Sequence, residues 1–293
     1  MIRNPLISDR LLIFVHIPKT AGTSLRSIVL EQFENIHFFY GIDGNEKSIN
    51  SCIEDYNQMV DKIKLNNIDP FPTVIMGHIE FGIHRSLKNY RYCTYATFLR
   101  DPIDRIISYY FHVRNFFDET HFIGRSARNM TLEEFVRNRV SPETDNWQTR
   151  IISGMIYSPK PFDSDRVTPE ILELAKTNLR KYFIFGLTER FQESIEIFSE
   201  FFRWENVTYV RANVNPDRIA KEELPAATLD ILAEHSYFDI KLYRYAKQLF
   251  EQQREQLSPD KQKIRFWWED IRENLQYSQD KLLKIKTDLE RLK

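Results

Sequence analysis

Short apolar runs alternate with helix-spaced apolar positions through most of this chain. Leu11-Leu12-Ile13-Phe14-Val15 is a continuous apolar run, as in a strand buried on both faces of a parallel sheet. Pro18, which has no amide hydrogen for a ladder, ends it. Leu25, Ile28, Val29 and Phe33 then recur at steps of three and four, so the spacing predicts a helix over 24–33. The alternation repeats with a strand over 36–40, a helix over 46–64, and strands over 73–76 and 92–99. Asp101 as cap and Pro102 at the first position open the next helix, which turns Ile103, Ile106, Ile107 and Tyr110 inward. Thr131 caps a short helix and 145–152 forms another. Helices over 170–181 and 188–202 flank a strand at 182–185, a last strand is expected at 207–210, and 225–255 is helical in two pieces. Strands and helices in this order predict an α/β domain with a central parallel sheet between two helical layers.

From Ser258-Pro259 the period changes. Ile264, Trp268, Ile271, Leu275, Ser278, Leu282, Ile285, Leu289 and Leu292 step alternately by four and three, as in a coiled-coil seam. The expected division is an α/β domain over 1–257 and a C-terminal helical, coiled-coil-like extension over 258–293, through which the chain would form a homo-oligomer.

Composition narrows the classes. At 293 residues and 42% hydrophobic, the chain can bury a large core. A net charge of −1 gives no reason to expect bulk binding to nucleic acid or to a membrane surface. Cys52 and Cys93 are too few for a disulfide scaffold or a Cys-rich metal site. No apolar run approaches the roughly 20 residues of a membrane span, and the first strand starts too early for a signal peptide, so a cytoplasmic protein is expected.

The candidate chemistry sits where strands end. Lys19-Thr20-Ala21-Gly22-Thr23-Ser24 joins the first strand to the first helix. Such a turn aims several backbone N–H groups and the positive end of a helix dipole at one spot, which suits a phosphate. Gly22 permits close approach, Thr23 and Ser24 bring hydroxyls, and Lys19 brings a charge. The lysine precedes the glycine, so the turn is P-loop-like without being a Walker A loop. The plainer alternative is that Thr23 or Ser24 merely caps the helix. His78 follows the strand at 73–76 through Gly77; if that strand neighbours the first, His78 and Lys19 share an edge. An imidazole there can serve as a general base. His84 and Arg85, a few residues on, are candidates for holding a substrate. Arg100 ends another strand and Ser108 lies two turns into the helix after it, a fork and a hydroxyl for a second phosphate. The alternative there is an arginine paired to Asp104 and a buried serine. His16 is expected to be packed, and His37, His112, His121 and His235 carry no signal. No histidine spacing matches a metal-ligand set, so no metal is expected.

These segments together resemble sulfotransferases. HIPKTAGTS (16–24) is similar to their phosphosulfate-binding loop, and FLRDPIDRIISYY (98–110) to their 3′-phosphate-binding strand and helix. MGHIEFGIH (76–84) resembles the segment carrying the catalytic histidine in the carbohydrate group related to heparan sulfate 2-O- and 6-O-sulfotransferases. DNWQTR (145–150) with Ile152-Ser153-Gly154, and FGLTERF (185–191), are further matches, and the likeness spans roughly residues 11–250. The resemblance implies sulfuryl transfer from 3′-phosphoadenosine 5′-phosphosulfate to a hydroxyl acceptor, most simply a carbohydrate. It implies that Lys19 meets the bridging oxygen and the sulfonate, and that Thr20, Ala21, Gly22, Thr23 and Ser24 hold the 5′-phosphate. It implies that Arg100 and Ser108 hold the 3′-phosphate and that His78 is the base, while Trp147 and Arg150 join His84 and Arg85 as acceptor candidates. Arg211-Ala212-Asn213 stands where a later cofactor-contacting loop would fall. The Golgi members carry membrane anchors and disulfides, so this chain is expected to be a bacterial-type cytoplasmic relative. Two rival readings are a nucleotide-dependent phosphotransferase, which lacks its Gly-Lys pair and a magnesium carboxylate here, and a noncatalytic glycan- or polyanion-binding protein on the same fold.

Overall fold

Among the described residues, five parallel strands form one sheet: β1 (Arg10–Val15), β2 (Ile36–Phe39), β3 (Val74–Gly77), β4 (Tyr92–Leu99) and β5 (Phe183–Leu187). The computed structural model describes residues 10–39, 49–65, 74–88, 92–155, 167–204, 207–208 and 219–256. The strand order is β2-β3-β1-β4-β5. In register, Val15 lies opposite Gly77 on one side and Thr97 on the other. Leu11 to Val15 are all buried, as a strand covered on both faces requires. The Thr97 hydroxyl adds a 2.8 Å bond to the Val15 carbonyl, locking the ends of β1 and β4 together.

Ten α-helices surround the sheet: α1 (Gly22–Gln32), α2 (Ile49–Leu65), α3 (Pro102–Phe116), α4 (Phe122–Asn129), α5 (Leu132–Arg137), α6 (Trp147–Ser153), α7 (Pro169–Tyr182), α8 (Phe191–Phe202), α9 (Ala226–His235) and α10 (Tyr237–Gln256), counted among the described residues. Alternation along the strands assigns them to layers. Phe14 meets Phe33 after α1 and Phe202 of α8, and Phe98 meets Phe191 and Phe198 of α8. On the opposite face Tyr95 meets Phe81 and Phe183, and Phe185 meets Phe250 of α10. The expected α/β fold with a central parallel sheet is therefore present. A second apolar cluster, centred on Ile107, Tyr110, Phe135 and Leu232, joins α3, α5 and α9 beside the sheet.

Some boundaries differ from the periodicity. The expected helix over 188–202 opens as a 3₁₀ turn, Thr188–Arg190, before α8 begins. Val207 and Thr208 are not in a strand, and the rest of that expected strand lies outside the described residues. So do Arg211-Ala212-Asn213 and the expected coiled coil over 258–293. Among the described residues no helix is long and apolar enough to cross a membrane.

Candidate active site

The carboxyl ends of β3, β1 and β4 are adjacent, and each delivers one of the singled-out residues. After β1 the chain makes a strained turn. Lys19 and Ala21 both adopt the left-handed conformation, with φ of 70° and 66°, which costs side-chain-bearing residues roughly 1–2 kcal/mol each. The Thr20 hydroxyl between them donates to the Ile17 carbonyl at 2.8 Å and closes the turn. Ala21 is the N-cap of α1 and supplies no side-chain cap. Thr23 and Ser24 thus lie inside the first helical turn, not at the cap that the plainer reading of the sequence assigned them. With no side-chain cap, the first-turn amides and these hydroxyls are the donors this helix N-terminus offers to an anion.

Gly22 is required by packing. A Cβ built there would sit 1.8 Å from His16 Nε2 and 2.1 Å from its Cδ2. The His16 ring therefore fills the hollow behind the turn. Its own amide donates to the Gly77 carbonyl at 2.8 Å, and its ring lies 4.8 Å from that of His78. Burial, then the charges of His78, Lys19 and Arg26, push the His16 pKa down to about 3. His16 is packed, as expected, while His78 beside it is exposed. Gly22→Ala is expected to destabilise the fold by about 1–3 kcal/mol in urea unfolding, the usual cost of overpacking. In a His16→Ala background most of that loss should disappear; strictly additive losses would show that the two do not touch.

Arg100 closes the other side. Its Nη1 donates to the Lys19 carbonyl at 3.0 Å, so the guanidinium bridges the ends of β1 and β4. Its backbone is bracketed by one side chain, the Gln148 amide, which accepts from Arg100 N and donates to Arg100 O, both at 2.9 Å. The next residue, Asp101, donates its amide to Glu189 at 2.9 Å and caps α3 by accepting from the amides of Ile103 and Asp104. Lys221 pairs with the same Asp101 carboxylate at 3.2 Å. Ser108 lies half-buried on α3, and His112 follows one helical turn later. Burial, then the charge of Lys19, push the His112 pKa down to about 4. His112 carries no sequence signal of its own; its spacing of four from Ser108 was the available clue.

The remaining candidates are placed differently. The His84 ring bonds the Tyr95 hydroxyl at 2.5 Å, and burial, then Arg85, push its pKa down to about 4. Tyr95 is four positions back from the end of β4, roughly 13 Å along the strand, so His84 is not gathered with Lys19, His78 and Arg100. Arg85 is exposed. Arg150 is 3% exposed and spends its guanidinium on the carbonyl and carboxylate of Asp145, at 2.9 and 3.3 Å. Trp147, at the start of α6 next to Gln148, packs against the core, and its Nε1 finds no acceptor among the described residues. No group of three or more metal-ligating side chains gathers among the described residues.

The arrangement sets a helix N-terminus with its amides and hydroxyls, an arginine and an exposed imidazole at the ends of three neighbouring strands, donors of the kind that suit an anion. Comparison with known proteins gives the same direction. A family model described as "Sulfotransferase family" matches residues 7–246. The chain is similar to heparan-sulfate 6-O-sulfotransferase 2 of Danio rerio, 26% identical over 287 residues, covering 83% of this chain and 58% of the relative. It is similar to heparan-sulfate 6-O-sulfotransferase 1 of Homo sapiens, 25% identical over 295 residues, covering 86% of this chain and 68% of the relative. A heparan sulfate 2-O-sulfotransferase of Caenorhabditis elegans is 24% identical over 208 residues, covering 65% of this chain and 59% of the relative. The chain thus spans about half to two thirds of the length of the curated relatives it matches.

Proposed function

The chain belongs to the sulfotransferase family, and from that premise we propose that it transfers a sulfuryl group from 3′-phosphoadenosine 5′-phosphosulfate to a carbohydrate hydroxyl. The observation that carries the reading is the convergence of the Lys19 turn, His78 and Arg100 at the ends of β1, β3 and β4. The likeness to heparan sulfate sulfotransferases supports a carbohydrate acceptor.

The turn after β1 acts as a P-loop-like cradle whose lysine enters from the strand side. The amides of Thr20 to Ser24 and the Thr23 and Ser24 hydroxyls hold the 5′-phosphate. Arg100 and Ser108 hold the 3′-phosphate, and the bonds from Gln148 and Glu189 fix the Arg100-Asp101 backbone beforehand. His78 takes the proton of the acceptor hydroxyl as that oxygen attacks sulfur. The new sulfur–oxygen bond forms as the bond from sulfur to the bridging phosphate oxygen breaks, and Lys19 meets the charge that develops there. Positioning and charge stabilisation supply most of the catalysis in transfers of this kind.

The test is calorimetry with 3′-phosphoadenosine 5′-phosphate and with 5′-AMP, followed by mass spectrometry of a desulfated heparan-type polysaccharide incubated with the donor. The 3′-phosphorylated nucleotide should bind about 10- to 150-fold more tightly, the worth of a charge-assisted hydrogen bond. Arg100→Ala should erase most of that difference. Equal affinity of the wild type for both nucleotides would remove the 3′-phosphate assignment.

A further inference from the structure

Helix α10 reaches Arg100 and Asp101 through two short chains of hydrogen bonds. Asp239 and Tyr243 stand one helical turn apart on it, so their side chains share a face. Asp239 is 2% exposed, and its carboxylate accepts from the Gln148 amide at 3.1 Å and from the Thr149 amide and hydroxyl, both at 2.7 Å. The Gln148 side chain in turn takes both backbone groups of Arg100. The Tyr243 hydroxyl donates to one oxygen of Glu189, whose other oxygen accepts from the Asp101 amide at 2.9 Å. Each chain passes through a single residue, and the two end on neighbours in sequence.

The first chain is built from exchanged helix caps. Gln148 and Thr149 are the second and third residues of α6, whose N-cap Asn146 makes no side-chain cap bond there. Asp239 caps α6 instead. The Asn146 side-chain oxygen accepts from the amides of Phe238 and Asp239, at 2.7 and 3.1 Å, and so caps α10. The starts of α6 and α10 are thereby locked to each other. A buried carboxylate is costly unless its lone pairs are filled. Its three donors hold Asp239 in one place, and with it the Gln148 backbone from which the clamp on Arg100 extends. In the second chain Glu189 is exposed, and an exposed glutamate keeps its rotamer freedom unless a partner removes it. Tyr243, 7% exposed, is that partner.

Arg100 and Asp101 form the junction between β4 and α3. Asp101 caps α3, and Ser108 lies two turns further along it. The setting of this junction therefore fixes where Ser108 stands relative to the Arg100 fork. We propose that Asp239 and Tyr243 are positioning residues for the nucleotide's 3′-phosphate, holding Arg100 and the start of α3 through Gln148 and Glu189. The proposal rests on the assignment of Arg100 and Ser108 under Proposed function. Both residues act through another by preorganisation, since a fork already held in place gives up less freedom when the phosphate arrives.

The experiment compares the wild type with Asp239→Asn, Tyr243→Phe and, as a control at an exposed position of α10, Arg244→Ala. Asp239→Asn keeps the shape of the side chain but sets an NH₂ group against one of the amides it held. Tyr243→Phe removes one hydroxyl. Calorimetry gives the affinities for 3′-phosphoadenosine 5′-phosphate and for 5′-AMP, and NMR follows hydrogen exchange of the Arg100 and Asp101 amides in the free protein. The ratio of the two affinities should fall about threefold in Tyr243→Phe and about tenfold in Asp239→Asn, whose bonds are buried. The loss should fall on the 3′-phosphorylated nucleotide, with 5′-AMP affinity held within about twofold and Arg244→Ala like the wild type. Exchange should quicken most at Arg100 in Asp239→Asn and most at Asp101 in Tyr243→Phe, a matched pattern that general loss of stability does not give. Should Asp239→Asn fail to fold, Tyr243→Phe decides alone. A ratio unchanged in the folded variants would overturn the proposal. So would an equal fall in both affinities, or exchange that rises evenly along the sheet, since either marks a residue that only supports the fold. A wild type that binds the two nucleotides equally removes the 3′-phosphate assignment and the proposal with it. A wild type that discriminates, with variants that discriminate as well, removes the proposal alone.

Discussion

His78→Ala should lower turnover by about 10²–10⁴-fold, the usual contribution of a positioned general base, equivalent to roughly 2.7–5.4 kcal/mol of barrier. Affinity for 3′-phosphoadenosine 5′-phosphate should change little. The separation follows from position. His78 is exposed at the end of β3, whereas the turn that would hold the phosphate belongs to β1. The two strands are hydrogen-bonded neighbours, and the His16 ring lies 4.8 Å from that of His78. A base must be reachable by the acceptor, and His78 is exposed where His16 is half-buried behind the turn. In the pH dependence of kcat/KM, the limb set by the base should vanish in the variant. Loss of nucleotide affinity together with turnover would instead mark His78 as a prop for His16 and the turn. His84→Ala serves as the control. With its ring bonded to Tyr95 and set back along β4, it should leave the pH limb in place. A larger loss from His84→Ala than from His78→Ala would overturn the base assignment.

Much of this site is legible in the chain because strand ends are. An apolar run broken by Pro18, another followed by Gly77-His78, and a third stopped by Arg100-Asp101-Pro102 mark three strand termini. A parallel sheet places such termini on one edge. Which strands are neighbours is not written locally, and the order β2-β3-β1-β4-β5 brings His78 beside the Lys19 turn. Side-chain roles set by long-range partners were harder to read. DNWQTR offers Trp147 and Arg150 as its conspicuous residues, yet Arg150 is consumed by Asp145 five residues away. The residue of that segment that reaches the site is Gln148, through the Arg100 backbone. FGLTERF likewise contributes Glu189, which accepts from Asp101 N and from the Tyr243 hydroxyl. Neither contact has a period or a spacing, since each joins residues 48 or more positions apart. The left-handed backbone at Lys19 and Ala21 was equally unreadable, because neither residue favours it. The surrounding bonds impose it, which is common where a turn has chemistry to perform.

Lys19→Ala should lower kcat by about 10²–10³-fold, the loss seen when one preorganised donor to a developing charge is removed. The variant is unusually clean. The Arg100 guanidinium is anchored on the Lys19 carbonyl, a backbone atom that the substitution leaves in place. The Thr20–Ile17 bond that closes the turn is also untouched. The side chain beyond Cβ goes while the backbone stays, so the fall should appear mainly in kcat, with a smaller loss in nucleotide affinity. A second readout needs no acceptor. Lys19 is one of the charges that hold His16 at about 3 and His112 at about 4. A nearby cation disfavours the protonated ring, so removing it must raise both values toward the ordinary 6.5. Burial, the larger cause at both residues, remains and keeps them below it. Titration of the imidazole C–H resonances by NMR reads this directly. A kcat that falls while the His112 titration stays fixed would place the ammonium elsewhere and leave the loss to some other change in the turn. An unchanged kcat with a shifted His112 would put Lys19 in the cradle but outside the reaction.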